Sequence, residues 1–242
     1  MRIPRCYEPQ PLQNGQTLPL GDSNVQHLAR TLRMRAGDRV QLFNGDGRDY
    51  AATLVEVDKR RVLAHIDAAE ESAREPRLKV HIGQCLSRGE RMDYAVQKAT
   101  ETGMSRMTPL FSERCEVKLN SERQDKRQRH WQQVAVSACE QSLRCSVPDI
   151  DAPQPLLEWV QSVEADLKLV LHHHSARALG ELPPPASVAL LIGPEGGLSE
   201  AEVAAAAAAG FQPVCFGPRV LRTETAPVAA QAILHYLWGD WA

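Results

Sequence analysis

The sequence predicts an α/β protein that consists of a small amino-terminal β-barrel and a larger domain with a mainly parallel sheet. Up to about residue 70, short stretches alternate between apolar and polar residues and are separated by glycine-rich turns. Beyond that point, strand-like and helix-like stretches alternate, as in a parallel sheet with crossover helices. Residues 167–171 and 188–192 are compact apolar strands, which are typical of a sheet that is covered on both faces.

The amino-terminal part is predicted to contain three strands and one helix. The strands are residues 38–43, 50–58 and 61–66, with a turn at 44–47. A helix is predicted over residues 22–34, and Asp22, Ser23 and Asn24 are the candidates for its amino-terminal cap. The polar, acid-rich residues 68–76 are the predicted linker.

The second part is predicted to continue as alternating strands and helices to the end of the chain. The predicted strands are residues 78–85, 104–111, 167–171, 188–192 and 213–216. The predicted helices are residues 90–102, 121–143, 200–209 and 225–237. The two predicted domains therefore span residues 1–73 and 74–242.

Composition excludes several classes of protein. Hydrophobic residues make up 43% and charged residues 24% of the 242 residues, as in ordinary folded proteins. We expect no signal peptide and no membrane span, because no apolar stretch approaches roughly 18 residues. The six cysteines contain no Cys-x-x-Cys pair, so we expect a cytoplasmic protein with reduced thiols, and a redox pair of Cys139 with Cys145 is the weaker alternative. Three adjacent histidines, 172–174, cannot converge on one ion from an extended strand, so we expect no metal.

Charge is distributed unevenly along the chain. Residues 74–132 contain thirteen basic residues (Lys or Arg) and eight acidic residues (Asp or Glu). Residues 150–215 contain two basic and eight acidic residues. This asymmetry suggests a polyanion that is bound on one face. The cluster of Arg30, Arg33 and Arg35 is either an ordinary solvent-exposed surface or part of the surface that binds the polyanion.

Two loops near the carboxyl end carry the candidate chemistry. The first, residues 193–198, follows an apolar strand, and Ser199 with Glu202 forms a predicted capping box for the next helix. The second, residues 217–225, also joins a strand to a helix, with Thr223 or Thr225 as the predicted cap. Because both loops leave the carboxyl ends of successive strands, we expect them to form one crevice, which the strand that ends at His172 would close.

The residues of these loops resemble a known family. The segments 193–197 (Gly-Pro-Glu-Gly-Gly) and 221–226 (Leu-Arg-Thr-Glu-Thr-Ala) resemble the signature loops of the SPOUT methyltransferases. More narrowly, the chain resembles the RsmE family of 16S rRNA uridine N3-methyltransferases. The resemblance extends to residues 27–34, 42–45, 97–101, 109–115, 138–141 and 147–148, so it covers nearly the whole chain.

The resemblance implies a carboxyl-terminal α/β domain with a trefoil knot, an amino-terminal PUA-like barrel and a homodimer. It implies S-adenosylmethionine as cofactor and, as substrate, one uridine of 16S rRNA near the decoding centre of the assembled small subunit. The predicted cofactor-binding residues are Leu171, Ile192, Gly193, Glu195, Gly196, Gly197, Phe216, Gly217, Leu221 and Thr223.

Two residues are predicted to be catalytic. Uracil N3 must lose its proton to become a nucleophile, and Arg222 is the candidate that stabilises the anionic ring. Glu224 is the candidate proton acceptor or holds Arg222 in place, although a carboxylate that meets the helix dipole is an equal alternative. The predicted RNA-binding residues are Arg5, Arg30, Arg33, Arg35, Arg88, Arg91 and Arg114.

Two other functions remain open from the residues alone. One is an inactive RNA-binding factor for ribosome assembly, against which the intact loops at 193–197 and 221–226 argue. The other is a nucleotide-dependent oxidoreductase, but residues 83–89 lack the Gly-x-Gly-x-x-Gly turn that it requires.

Overall fold

The structure is a computed structural model that describes residues 3–117, 120–172, 179 and 182–241. Its contacts divide the chain into two compact units. The first unit contains Met1–Glu75 and Cys139–Val147, and the second contains Pro76–Ala138 and Pro148–Ala242.

The first unit contains a five-stranded mixed sheet. Its strands are β1 (Arg5–Tyr7), β2 (Thr17–Pro19), β3 (Arg39–Phe43), β4 (Arg48–Val57) and β5 (Val62–Glu71), in the order β1-β3-β4-β5-β2. Tyr50, Ala52 and Leu54 of β4 point into the core, which confirms the predicted alternation. The three predicted strands are confirmed, whereas β1 and β2 are three residues each and too short for a pattern to indicate them.

The predicted helix of the first unit differs from the observed one in type, end and cap. Helix α1 (Asp22–Val25) continues as a π-helical turn over Gln26–Thr31. The segment ends because Arg33 takes a positive φ of 53°. The predicted cap is wrong, since Gly21 holds that position without a side-chain bond and the Asn24 amide donates to the carbonyl of Tyr7 instead.

The predicted linker is also partly wrong. Strand β5 extends to Glu71, which pairs with Arg48, so residues 68–71 belong to the sheet. The side chains at this end of β5 are mostly exposed, and for that reason the sequence reads as polar there.

The second unit contains a seven-stranded sheet in which every pair is parallel. Its strands are β6 (Lys79–Cys85), β7 (Arg106–Phe111), β8 (Asp149–Ile150), β9 (Gln154–Pro155), β10 (Leu167–Leu171), β11 (Ser187–Ile192) and β12 (Gln212–Val214). The order is β12-β10-β11-β6-β7-β8, and β9 also pairs with β7. This arrangement confirms the predicted mainly parallel sheet.

Five helices accompany this sheet in the described part of the chain. They are α2 (Arg91–Glu101), α3 (Ser121–Ser142), α4 (Leu156–Ser162), α5 (Glu200–Ala208) and α6 (Ala226–Trp238). Four of them were predicted to within about two residues, and α4, which is only seven residues long, was not.

Helices cover both faces of the parallel sheet. On one face, Val80 and Leu190 pack with Met92 of α2 and Leu234 of α6. On the other face, strand residues such as Leu191 pack against α4 and α5. The carboxyl ends of β10, β11 and β12 therefore share one edge, from which the two candidate loops leave. No helix among the described residues is long and apolar enough to cross a membrane.

Candidate functional site

The loop after β11 is held by the predicted capping box. The backbone N–H of Glu202 donates to Ser199 Oγ over 3.3 Å, and the N–H of Ser199 donates to Glu202 Oε2 over 2.8 Å. Glu202 Oε1 also accepts the backbone N–H of Glu113 over 2.7 Å. Gly197 has a φ of 70°, a conformation that favours glycine. The start of α5 thus fixes the loop and ties it to the segment after β7.

The loop after β12 is joined to the first loop by Thr223. This residue is 7% exposed, and its hydroxyl donates to the carbonyl of Gly193 over 2.8 Å. The same oxygen accepts the Gln84 side-chain amide over 2.9 Å. Of the two predicted caps, Thr225 occupies the cap position of α6, although its side chain makes no capping bond, and the Thr223 hydroxyl is engaged between the loops.

The two loops form one cleft with a volume of about 630 Å³. This confirms that they lie together, although β10 separates β11 from β12 in the sheet. Strand β10 contributes Leu171 and His172 to the lining, and the backbone N–H of His172 donates to the carbonyl of Val214 over 2.9 Å. Leu171, Phe216 and Leu221 provide apolar walls.

Most of the predicted site residues line this cleft. They are Leu171, Glu195, Gly196, Gly197, Phe216, Gly217, Leu221, Arg222, Thr223 and Glu224. Ile192 and Gly193 do not line it among the described residues, and their role in cofactor binding stays a prediction. Ile192 is 2% exposed within the sheet core, and Leu198 lies against Gly193, whose carbonyl is bonded to Thr223.

Arg91, at the start of α2, organises the carboxylates of the cleft. Its guanidinium donates to Glu195 Oε1, and its Nε lies 3.9 Å from Glu224 Oε1. Burial raises the pKa of Glu195, but hydrogen bonds from its own backbone, from Arg91 and from the Arg88 N–H outweigh burial and lower the pKa overall. Arg91 was predicted only to contact RNA. The position of α2 directly after β6, the neighbour of β11, was the available signal.

Arg219 and Arg222 both line the cleft, and neither guanidinium is paired with a carboxylate among the described residues. The Arg222 side chain is exposed and has no hydrogen-bond or ion-pair partner in this part of the chain. Its carbonyl accepts the N–H groups of Thr225 and Ala226 over 2.9 and 3.0 Å, which fixes its backbone. The alternative that Glu224 holds Arg222 in place finds no support, because the ion pair of Glu224 is with Arg91.

The arginines predicted to bind RNA have different environments. Arg30, Arg33, Arg35, Arg88 and Arg114 are exposed, and Arg91 is half-buried. Arg114 donates to the carbonyl of Gly196 over 3.1 Å, so it also braces the cleft.

The prediction for Arg5 is wrong. Its side chain is 4% exposed and donates to Asp49 and to the carbonyls of Cys139 and Arg144. A guanidinium with these buried partners has no face for a phosphate.

Thiols and histidines form no further reactive site among the described residues. All six cysteines are free, and the Cys139 thiol donates to the carbonyl of Ser146, while burial raises its pKa to about 12. No group of three His, Cys, Asp or Glu in this part of the chain could hold a metal ion. His173 and His174 lie outside the described residues.

Comparison with known proteins identifies the family. Residues 74–235 match a family described as RNA methyltransferase domain, and residues 20–67 match one described as RNA methyltransferase PUA domain. The chain is 34% identical over 241 residues to ribosomal RNA small subunit methyltransferase E of Buchnera aphidicola subsp. Schizaphis graminum, across 99% of this chain and 98% of that one. The chain belongs to the ribosomal RNA small subunit methyltransferase E family.

Other members of the ribosomal RNA small subunit methyltransferase E family agree. The Bacillus subtilis protein is 31% identical over 240 residues, across 94% of this chain and 93% of its own. The Neisseria gonorrhoeae protein, in a crystal structure bound to S-adenosyl methionine, superposes with a TM-score of 0.94 at 38% identity and full coverage of both chains. These matches confirm the family and the fold that its sequence motifs predicted: an α/β methyltransferase domain with an amino-terminal PUA domain.

Proposed function

We propose that this chain is an enzyme that methylates N3 of one uridine in the 16S rRNA of the small ribosomal subunit, with S-adenosylmethionine as the methyl donor. Family membership supports the methylation of small-subunit rRNA, and the Neisseria gonorrhoeae relative binds this donor. The uridine and its N3 atom rest on the motifs at 193–197 and 221–226. The observation that carries the proposal is the single cleft that both loops form through Thr223.

The residues of the cleft fit an adenosyl cofactor. A volume of about 630 Å³ lies in the usual range for cofactor sites. The apolar side chains of Leu171, Phe216 and Leu221 suit an adenine ring. Gly196 keeps the loop thin, since an added Cβ would lie 3.3 Å from Arg114 Cβ, and Gly217 has a φ of 86°.

Arg222 and Glu224 would act on the uracil ring. S-adenosylmethionine, when bound, supplies an electrophilic methyl group on a sulfonium. Arg222, which has no carboxylate partner, stabilises the negative charge of the deprotonated ring. Glu224 is the acceptor for the N3 proton, and Arg91 fixes its position from 3.9 Å away.

Contacts with RNA would come from both units. Arg30, Arg33 and Arg35 are exposed on the first unit, and Arg114 is exposed on the second, whereas Arg88 and Arg91 of the second unit are paired with Glu116 and Glu195. Phosphate neutralisation by the four arginines without a carboxylate partner makes binding to small subunits sensitive to salt.

We also propose a homodimer, a trefoil knot and a cytoplasmic location. Exposed apolar side chains of Tyr236, Leu237 and Trp241, at 64%, 37% and 48% exposure, support an interface between copies. Contacts of Thr223 with Gln84 of β6 and with Gly193 after β11 are those that a threaded 217–225 segment would make. Assembled small subunits, the proposed substrate, are cytoplasmic.

The experiment incubates the purified protein with methyl-labelled S-adenosylmethionine and unmethylated small subunits, followed by digestion of the rRNA to nucleosides. We expect the label in N3-methyluridine and none with fully methylated subunits. Label in another nucleoside would overturn the uridine N3 assignment alone. Binding to subunits without any transfer would favour the inactive assembly factor.

A further inference from the structure

Four cavities of the second unit are neighbours, because each shares lining residues with the next. A side cavity of about 700 Å³ shares Arg91, Glu195 and Glu224 with the cleft. Its residue Arg88 also lines a small cavity of about 160 Å³, which reaches Arg127 on α3. Arg127 in turn lines a cavity of about 500 Å³ on the surface of that helix. We call this row of neighbouring cavities, from the cleft to α3, the groove.

The far end of this groove is a basic face of α3. It consists of Arg123, Lys126, Arg127 and His130, which line the last cavity and recur at helical spacing. His130 is bonded to Asp93 over 2.7 Å, but the other three side chains are exposed and have no partner among the residues that the structure describes. Asp125 lies off this spacing, and Glu122, four residues before Lys126, forms no ion pair with it among the described residues. Three uncompensated cations on one face are suited to phosphates.

The side cavity has the opposite character. Its cations are already paired, Arg88 with Glu116 and Arg91 with Glu195, and its carboxylates outnumber them. Carboxylates repel a phosphate but accept hydrogen bonds from the N–H groups of a neutral base. Tyr94 lines the same cavity, and its side chain is 47% exposed, so its ring is accessible for stacking.

We propose that the groove binds single-stranded RNA: the basic face of α3 binds backbone phosphates, and Tyr94 stacks on an unstacked base in the side cavity. Glu224 lines both this cavity and the cleft, so it lies where that base would meet the methyl donor. A duplex would have to extrude this base at a cost of roughly a few kcal/mol, whereas a single strand supplies it without breaking a base pair. The assignment of the base as the methylated one rests on the proposed function, whereas RNA binding by the groove does not.

The basic face is tested by fluorescence anisotropy with labelled oligouridine in the absence of methyl donor. The variant Arg123→Gln/Lys126→Gln/Arg127→Gln should bind roughly tenfold to hundredfold more weakly at low salt. The slope of log affinity against log salt should fall by about 2, at roughly 0.7 per lost phosphate contact.

A matched pair of single variants separates the face from the helix as a whole. Arg127→Gln removes a cation of the basic face, and Arg129→Gln removes the exposed cation two residues further on the other side of α3. Arg127→Gln should weaken binding, and Arg129→Gln should not. Equal effects of the two variants, or a triple variant that binds like the wild type, would overturn the proposal.

Tyr94 is tested by the pair Tyr94→Ala and Tyr94→Phe. Loss of the ring should weaken oligouridine binding by roughly fivefold to a hundredfold, and the phenylalanine, which keeps the ring, should retain it within about threefold. Titration with S-adenosylmethionine should give the same affinity for both variants as for the wild type. Wild-type RNA affinity of Tyr94→Ala would overturn the stacking role.

Two controls keep the outcomes distinct. Sedimentation of Tyr94→Ala should give the wild-type mass, and a changed mass would assign Tyr94 to a contact between copies and overturn its role in the groove. Because oligouridine binding is measured without donor, absence of methyl transfer by the wild type would refute the proposed function alone. Wild-type binding by both the triple variant and Tyr94→Ala would refute the groove alone.

Discussion

At the scale of single residues, Arg222 is an exposed cation without a carboxylate partner in the described part of the cleft, whereas Arg91 is paired with Glu195 and lies near Glu224. A guanidinium that no carboxylate neutralises keeps its full effect on charge that develops in the transition state. We therefore expect Arg222→Ala to lower the turnover number roughly a hundredfold or more and to leave S-adenosylmethionine affinity within about threefold. Steady-state kinetics on small subunits and calorimetric titration measure the two quantities.

The charge-preserving variant Arg222→Lys provides the comparison for this prediction. Lysine keeps the positive charge but lacks the planar guanidinium group, so Arg222→Lys should recover part of the turnover that Arg222→Ala loses. Loss of cofactor affinity equal to the loss of turnover would assign Arg222 to cofactor binding instead.

Thr223 makes the contact on which the shape of the cleft depends. Its hydroxyl donates to the Gly193 carbonyl and accepts the Gln84 amide, and the residue is buried. Thr223→Val leaves both partners without this bond, which should lower the free energy of unfolding by about 1–3 kcal/mol. Because the two loops are then no longer joined, S-adenosylmethionine affinity should also fall, as titration will measure.

Thr225→Val is the matched control for Thr223→Val. Thr225 is exposed and makes no side-chain bond at the cap of α6. This variant should unfold and bind the cofactor like the wild type. Equal behaviour of the two valine variants would contradict the role of the Thr223 bridge.

The residues that the sequence could predict are those whose role depends on local pattern. Glycines, apolar walls and Arg222 follow from loops that leave strands, and most of them line the cleft. The pairing of Arg91 with Glu195 joins residues 104 positions apart, so no local pattern contains it. The prediction that Arg5 binds RNA is wrong for the same reason, because the carbonyl groups that bind its buried side chain are more than 130 residues away in the sequence.

At the scale of elements, a polar network ties three strands of the parallel sheet together at the end away from the cleft. His81 Nε2 of β6 lies 2.7 Å from Thr108 Oγ1 of β7, and that hydroxyl donates to Asp151, which follows β8. Arg106 donates to both oxygens of the same carboxylate. The ring of Trp159 from α4 meets the imidazole edge-on at 5.3 Å.

This network predicts a loss of stability in acid. Burial lowers the pKa of His81 from 6.5 to about 4, and Asp151 opposes this shift less than burial favours it. The unfolded state therefore binds a proton between pH 6.5 and 4 that the folded state does not, so stability falls as the pH is lowered through that range. By pH 5 the loss should be about 2 kcal/mol relative to pH 8.

The variant His81→Gln isolates this contribution, because glutamine does not titrate. Urea unfolding at pH 8 and pH 5 should give the wild type about 2 kcal/mol more loss than the variant. Equal losses of unfolding free energy in the two proteins would show that a group other than His81 causes the pH dependence.

Element boundaries were predictable where periodicity runs for several residues. The long strands and four helices of the second unit follow from their patterns, because a sheet covered on both faces requires apolar strands. Strands β8 and β9 are two residues each, and α4 is seven, so tertiary pairing with β7 and packing of Trp159 define them. The end of the π-helical segment after α1 is set by the positive φ of Arg33, which the residue type does not indicate.

At the scale of the whole molecule, the contact units do not follow the order of the sequence. Residues 139–147 belong to the first unit although they follow most of α3. Phe43 packs with Cys139 and Cys145, and the N–H groups of Cys145 and Ser146 donate to Glu75. The domain boundary at 73/74 remains a prediction from composition along the chain, which cannot detect a segment that returns from so far away.

Arg5 is the residue through which this segment can be tested in the full chain. Its guanidinium bonds to Asp49 and to the carbonyls of Cys139 and Arg144, and it stacks 3.9 Å above the ring of Phe43. Arg5→Leu removes a buried charge and leaves its acceptors unpaired, so the first unit should lose roughly 3–5 kcal/mol of stability. Hydrogen exchange should then show faster exchange of amides in β3, β4 and residues 139–147 together.

We expect the amides of residues 139–147 to exchange faster in Arg5→Leu, as those of β3 and β4 do. The amides in the preceding turns of α3 should keep their wild-type exchange rates. Amides of β6 and β11 should keep their protection, because their core is formed within the second unit. Arg35→Leu, which changes an exposed arginine of the first unit, should leave exchange unchanged. If residues 139–147 kept wild-type protection in Arg5→Leu while β3 and β4 lost theirs, the first unit would not extend beyond its continuous amino-terminal segment.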